Sequence, residues 1–177
     1  MSFAATSFAA MSFPAMSLLR SDAFISPLEI EDAVTRTLAE DLGRAGDITS
    51  IATVPEDTRA HALLAARKAG VMSGLPLVAA SFLRLSPQIA IEAFARDGDA
   101  IAAGGKLMTI EGDARAILSA ERTALNFIGH MSGIATATAE FVKRIAHTNA
   151  RVVCTRKTAP GLRALEKYAV RCGGGFN

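Results

Sequence analysis

"RVVCTRKTAPGLRALEKYAVRCGGGFN", residues 151–177, carries the fold signal of this chain. Val152-Val153-Cys154 is a short apolar run that passes directly into Thr155-Arg156-Lys157-Thr158, then Pro160-Gly161, then a helical pattern ending at Gly173-Gly174-Gly175. The preceding residues are helical too, so the local order is α-β-α. That order belongs to a parallel sheet or barrel, whose strands carry ligand sites at their carboxyl ends. The spacing predicts a strand over Arg151 to Thr155 and a helix from Pro160 to Arg171.

Upstream, residues 113–132 and 133–148 show helical periodicity and read as two helices joined near Ser132-Gly133. Ile134, Thr138, Phe141 and Ile145 mark the buried stripe of the second. Before Gly112 the period is two. "QIAIEAFARDGDAIAAGGKLMTIEG" gives strands separated by turns at Asp97-Gly98, Gly104-Gly105 and Gly112. Residues 60–74 read as an extended strand broken at Gly70, and "LPLVAASFLRL" as a short buried helix with Pro76 in its first turn. Ser26-Pro27-Leu28-Glu29 combines an N-cap serine, a first-turn proline and a glutamate three residues on, and Ile30, Val34 and Leu38 then repeat until Gly43 stops the helix. The fold class is therefore α/β (α+β): an N-terminal open-faced α/β sandwich, residues 26–132, followed by the first strand and helices of a parallel sheet or α/β barrel, residues 133–177. Residues 1–25 repeat a Ser-Phe-Ala unit and read as a disordered tail. The repeat is Ser-rich and poor in acids, as in transit peptides, but has no basic leader region.

Composition narrows the function. A chain of 177 residues with 50% hydrophobic residues supplies a core, while a net charge of +2 with scattered cations and 6% aromatics argues against a nucleic-acid partner. No apolar run approaches the ~20 residues of a transmembrane helix, so no membrane partner is expected. Cys154 and Cys172 lack zinc or disulfide spacing, which favours a reducing, cytoplasmic setting. His61, His130 and His147 show no metal spacing and are expected to do nothing chemical, although His130 borders a polar helix face.

Anion binding, then, has to be local. Thr155, Arg156, Lys157 and Thr158 offer a planar fork, a point charge and two hydroxyls at a strand's carboxyl end, ahead of a helix whose free N–H groups attract anions. An isolated Arg-Lys pair is more often a solvated pair of loop cations. Arg122 is the one cation on a helix face formed with Ser119, Asn126, Gly129 and Gly133. That face is small enough for another surface to approach. The alternative is an ion pair with a carboxylate of its own subunit.

"EDLGRAGDITS", "ERTALN" with "SGIAT", and "TRKTAPGLRALEKYAVRCGGGFN" together resemble the quinolinate phosphoribosyltransferases over residues 27–177. The resemblance implies attack of quinolinate on 5-phosphoribosyl 1-pyrophosphate, giving nicotinate mononucleotide, pyrophosphate and carbon dioxide in NAD biosynthesis. It implies magnesium carried on the pyrophosphate, with no metal ligand in this stretch. Thr155, Arg156, Lys157 and Thr158 would bind quinolinate carboxylates or phosphate, and Arg122 would reach into the neighbouring pocket of a homodimer or higher homo-oligomer. Catalytic roles would fall to Arg122, Arg156 and Lys157. Family members continue past the final asparagine with His-Arg and most of a barrel, so the expectation is a chain inactive alone. Cys154 stands where the family has Asp, and a packing role is expected for it. A molybdenum-transport-associated paralogue of the same fold and a non-catalytic dimerisation module are the alternative readings.

Overall fold

The computed structural model describes residues 15–177. Helix α1 runs Pro27–Leu42, and its start follows the local chemistry. Ser26 Oγ accepts from the Leu28 N–H at 3.2 Å, Pro27 occupies the first turn, and Gly43 closes the helix at φ 53°. Ile30, Val34 and Leu38 are buried as their spacing requires. A short helix α2, Ile48–Thr53, is capped by Asp47, which accepts from the Ser50 N–H at 3.0 Å.

The sheet comes next. Strand β1 is Arg59–Ala65, β2 Gly70–Val71, β3 Ala90–Ala93, β4 Ala100–Ile101 and β5 Lys106–Asp113. They form a three-stranded antiparallel sheet in the order β1-β5-β3 and a two-stranded one, β2-β4. In the first, Ala60 faces Gly112 and Ile91 faces Ile110. The sheet is open on one side. β1 alternates exposed and half-buried along its whole length, whereas central β5 buries Leu107, Met108 and Ile110. Gly112 is a strand residue and not the expected turn: a side chain there would sit 2.8 Å from Ile89 Cγ1, and glycine lets the two backbones approach.

Between β2 and β3 lies α3, Leu75–Leu85, as the sequence predicts. It is buried nearly all round because it serves two cores. Leu75, Val78 and Phe82 face the sheet with Met108 and Ile117, while Leu77 and Ala80 face α1 with Met131 and Ala135. Each fully buried Leu or Val contributes about 1.5–3 kcal/mol of transfer free energy.

Helix α4, Ala114–Ile145, follows β5 without a linker, with Asp113 Oδ1 accepting from the Ala116 N–H at 2.7 Å. It is one helix of 32 residues, about 48 Å long, where two had been expected. Ser132, read as part of a joint, stays helical and pins a strand end: its hydroxyl accepts from Ser73 N at 3.0 Å and donates to Ser73 O at 3.1 Å. Burial of Met131 and Ala135 on either side carries the helix through Gly133. The stripe predicted beyond this point is also rotated. Phe141 is 62% exposed, and Ala135 is buried beside Thr138, which keeps its expected buried position, because the triglycine segment packs there.

The last helix, α5, runs Arg163–Cys172 and packs Leu165, Tyr168, Ala169 and Cys172 into the α1–α4 core. It begins three residues later than expected, since Pro160-Gly161 forms a turn with Gly161 at φ 79°. The strand predicted over Arg151 to Thr155 is reduced to a parallel bridge, Val153 with Phe176. Its bonds are Cys154 N to Phe176 O, 2.8 Å, and Phe176 N to Val152 O, 2.9 Å. With α5 as crossover, this is the smallest version of a β-α-β unit. The expected tail is corrected over residues 15–25. Ala15, Leu18 and Ile25 are buried, and Arg20 donates to the Cys172 carbonyl at 2.7 Å. Residues 1–14, where the rest of the tail expectation falls, lie outside the described residues.

Candidate functional site

The loop between the Val153 bridge and α5 brings Thr155, Arg156, Lys157 and Thr158 together. Thr155, Arg156 and Lys157 are exposed, and the Arg156 and Lys157 side chains make no hydrogen bond or ion pair among the described residues. The Lys157 N–H donates to Thr155 Oγ1 at 3.1 Å, a local turn that sets the two cations side by side.

Helix α5 grips this loop from beneath. Arg163 Nε donates to Thr158 Oγ1 at 3.3 Å, Glu166 Oε2 accepts from the Ala159 N–H at 3.3 Å, and Lys167 Nζ donates to Cys154 Sγ at 2.8 Å. The other Glu166 oxygen lies 3.2 Å from His130 Nε2 of α4. Two expectations change here. The first turn of α5 is not open to an anion next to Thr158, because the Pro160-Gly161 turn intervenes and the turn carries Glu166. Cys154, expected to serve packing, has polar partners: its Sγ accepts from Lys167 Nζ and donates to Asn177 Oδ1 at 3.4 Å. Contacts between residues 36 positions apart, such as His130 and Glu166, leave no trace in a local sequence pattern.

Arg122 lies in a separate groove, lined with Asp41, Asp47, Ser119 and Leu125, and none of the four loop residues lines it. Its Nε is 3.2 Å from Asp41 Oδ1, the within-chain pairing that was the alternative reading, yet the arginine side chain remains 74% exposed. Nearby, Ser119 Oγ donates to Asp47 Oδ2 at 3.0 Å. Hydrogen bonds from the Ser50 hydroxyl and backbone, and from Ser119, hold the Asp47 carboxyl below its usual range. Gly129 and Gly133 are open, with nothing within 4 Å of an added Cβ, and Ile48 and Leu118 are exposed beside the groove. The small-residue face is thus present and bare.

A third cluster escaped the sequence reading. Asp97, expected only as a turn residue, is 3% exposed. It accepts from the N–H groups of Gly74 (2.9 Å) and Leu75 (3.0 Å) at the start of α3, and from the Tyr168 hydroxyl (2.9 Å) of α5. Burial pushes its pKa up to about 6, against the pull of those donors. Burial, followed by the Asp97 charge, also raises the Tyr168 pKa. Burial pushes the Cys172 thiol up to about 11, so it is no nucleophile at neutral pH.

Among the described residues no group of three or more His, Cys, Asp or Glu could hold a metal ion. Magnesium takes oxygen ligands, chiefly carboxylate and phosphate, and a loop of two cations does not fit it. Among the described residues no helix is long and apolar enough to cross a membrane.

Comparison with known proteins identifies the family. Residues 47–132 match the family described as quinolinate phosphoribosyl transferase, N-terminal domain, and residues 134–177 match its C-terminal domain. A Mycobacterium leprae protein named nicotinate-nucleotide pyrophosphorylase (carboxylating) is 43% identical over 82% of this chain and 52% of its own length. A Nicotiana tabacum protein named quinolinate phosphoribosyltransferase (decarboxylating) 2b, mitochondrial, is 40% identical over 84% of this chain and 42% of its own. The solved structure of the nicotinate-nucleotide pyrophosphorylase from Francisella tularensis superposes with a TM-score of 0.83 at 37% identity, covering 88% of this chain and 55% of that one. The chain spans about half the length of the curated relatives it matches.

Proposed function

The chain belongs to the quinolinate phosphoribosyltransferase family, and from that premise we propose that residues 155–158 form the quinolinate-binding side of a phosphoribosyltransferase that makes nicotinate mononucleotide for NAD biosynthesis. The observation that carries the reading is the pair of cations, Arg156 and Lys157, adjacent on a loop that α5 braces and without side-chain partners among the described residues. Quinolinate is a planar dianion. The guanidinium of Arg156 would grip one carboxylate through both its N–H edges, Lys157 would neutralise the other, and the Thr155 and Thr158 hydroxyls retain protons to donate. These groups would act by holding the pyridine nitrogen against the anomeric carbon and by screening its charges, with no covalent step on the protein. Magnesium would arrive on the pyrophosphate of the second substrate. In this reading residues 26–132 form the sandwich domain and 133–177 open the barrel domain, in a cytoplasmic enzyme.

We further propose a homodimer in which Arg122 serves the partner's loop. Its ion pair with Asp41 is largely exposed and of the kind that contributes little, so exchange for a bound carboxylate is feasible. The α4 residue coupled to the chain's own loop is His130, eight positions and about 12 Å further along the helix. The bare face of Gly129 and Gly133, with exposed Leu118 and Leu125, is where a second copy would seat.

Calorimetric titration with quinolinate tests both statements. Charge-assisted contacts of ~1.5–3 kcal/mol predict that Arg156→Ala weakens binding by roughly 10- to 100-fold and that Arg156→Lys recovers only part of the loss. Mixing Arg122→Ala with Arg156→Ala protein should restore tight sites, because each mixed dimer holds one intact pocket. Unchanged affinity in Arg156→Ala returns the loop to solvent, and no recovery after demonstrated subunit exchange places Arg122 in its own subunit.

A further inference from the structure

From its place on α5, Glu166 reaches both the exit of the cationic loop and α4. It stands in the first turn of α5 with 15% of its side chain exposed, receives the Ala159 N–H on one oxygen and faces His130 Nε2 with the other. Ala159 directly follows the four anion-binding candidates, so whatever fixes its backbone fixes the exit of the loop. The entrance is already held, by the Val153 bridge and by Lys167 on Cys154. A loop restrained at both ends presents its cations in one geometry, and binding a rigid dianion then costs less ordering entropy.

We propose that Glu166 is the positioning residue of this loop, with His130 anchoring it to α4. The proposal rests on the reading of residues 155–158 as the quinolinate site. A competing account gives Glu166 only the favourable interaction of an acid with the positive end of α5. The two accounts part at the glutamine substitution. Glutamine keeps a carbonyl oxygen for the Ala159 N–H and an amide that can bond the imidazole, but it has no charge for the helix end.

The experiment compares wild type, Glu166→Ala, Glu166→Gln and His130→Ala by amide hydrogen exchange at Ala159 and by quinolinate titration. Circular dichroism and melting temperature show that each variant is folded. Loss of one hydrogen bond predicts about tenfold faster exchange at Ala159 and about tenfold weaker quinolinate binding in Glu166→Ala. Glu166→Gln should stay within about threefold of wild type in both, and His130→Ala should fall between them. If Glu166→Gln matches Glu166→Ala, the positive helix end explains the residue and the proposal is overturned. It is also overturned if Glu166→Ala leaves Ala159 protected, or exposes it while quinolinate affinity holds. A wild-type chain that does not bind quinolinate would sink the substrate reading instead, and faster exchange in Glu166→Ala would still establish the brace.

Discussion

Residues 59–113 and residues 151–177 both bring extended backbone together, by opposite means. In the first, backbone ladders join β1, β5 and β3 over a buried face, with one irregularity between Leu64 and Ala65, and main-chain hydrogen bonds hold the strands together. In the second, one parallel bridge joins Val153 to Phe176, and side chains do the rest: Arg163, Glu166 and Lys167 each hold a different point of the loop. A laddered sheet is stable but presents few exposed groups that can be re-aimed. A loop on side-chain struts keeps its cations free of partners, as anion binding demands, and its geometry is correspondingly easy to upset.

The largest expected effect lies where this second region meets α4. A side chain at Gly173 would place its Cβ 2.3 Å from the Ala135 carbonyl and 2.6 Å from Thr138 Cβ. Neither neighbour is a flexible end, so α5 has to move. Gly173→Val should cost ~3 kcal/mol or more. Guanidinium melts would measure the loss, and hydrogen exchange would locate it in residues 163–177 with β1 and β5 still protected. Equal loss of protection in the sheet would show that the two regions unfold as one unit.

The elements that precede α4 were largely legible in the sequence, and the reasons are local. Ser26, Pro27 and Gly43 bound α1 by capping chemistry, and α3 announces itself through Pro76 and an unbroken apolar run. The cationic loop was legible for the same reason, because its four residues are consecutive. What failed was information carried over distance. Ser132-Gly133 looked like a helix break because the ~1 kcal/mol cost of glycine is visible locally, while the packing of Met131 and Ala135 that offsets it is not. Asp97 looked like a turn residue, and its partner Tyr168 lies 71 positions away. The contact of His130 with Glu166 was hidden in the same way.

Asp97 sets the next effect, since it joins the two regions. Its folded pKa of about 6 lies above the ordinary 3.8, so the folded state holds the proton more tightly than the unfolded chain. The contribution is complete below about pH 4, is lost as pH rises to about 6, and is flat beyond, with a span of about 3 kcal/mol. Subtracting the stability profile of Asp97→Asn from that of wild type should isolate this slope. Tyr168→Phe removes a donor to the carboxylate, which should carry the slope to higher pH and cost ~1–3 kcal/mol at neutral pH. A wild-type profile parallel to that of Asp97→Asn between pH 4 and 6 would mean that Asp97 does not link the regions electrostatically.

The smallest effect is expected on the α4 face that belongs to neither region. Arg122 and Asp41 are 3.2 Å apart, but the arginine is 74% exposed and the aspartate 28%, so water screens the pair and two side chains lose rotamer freedom to form it. A double-mutant cycle with Arg122→Ala and Asp41→Ala should give a coupling of ~0.2–1 kcal/mol, falling with added salt. A cation kept at so little cost to its own fold is available to another surface. Denaturant unfolding should therefore show Arg122→Ala unchanged in folding stability within ~1 kcal/mol, while sedimentation should show weaker ligand-linked self-association when quinolinate is present. A coupling well above ~1 kcal/mol would make Asp41 the fixed partner of Arg122 and remove the reason to look for one across an interface.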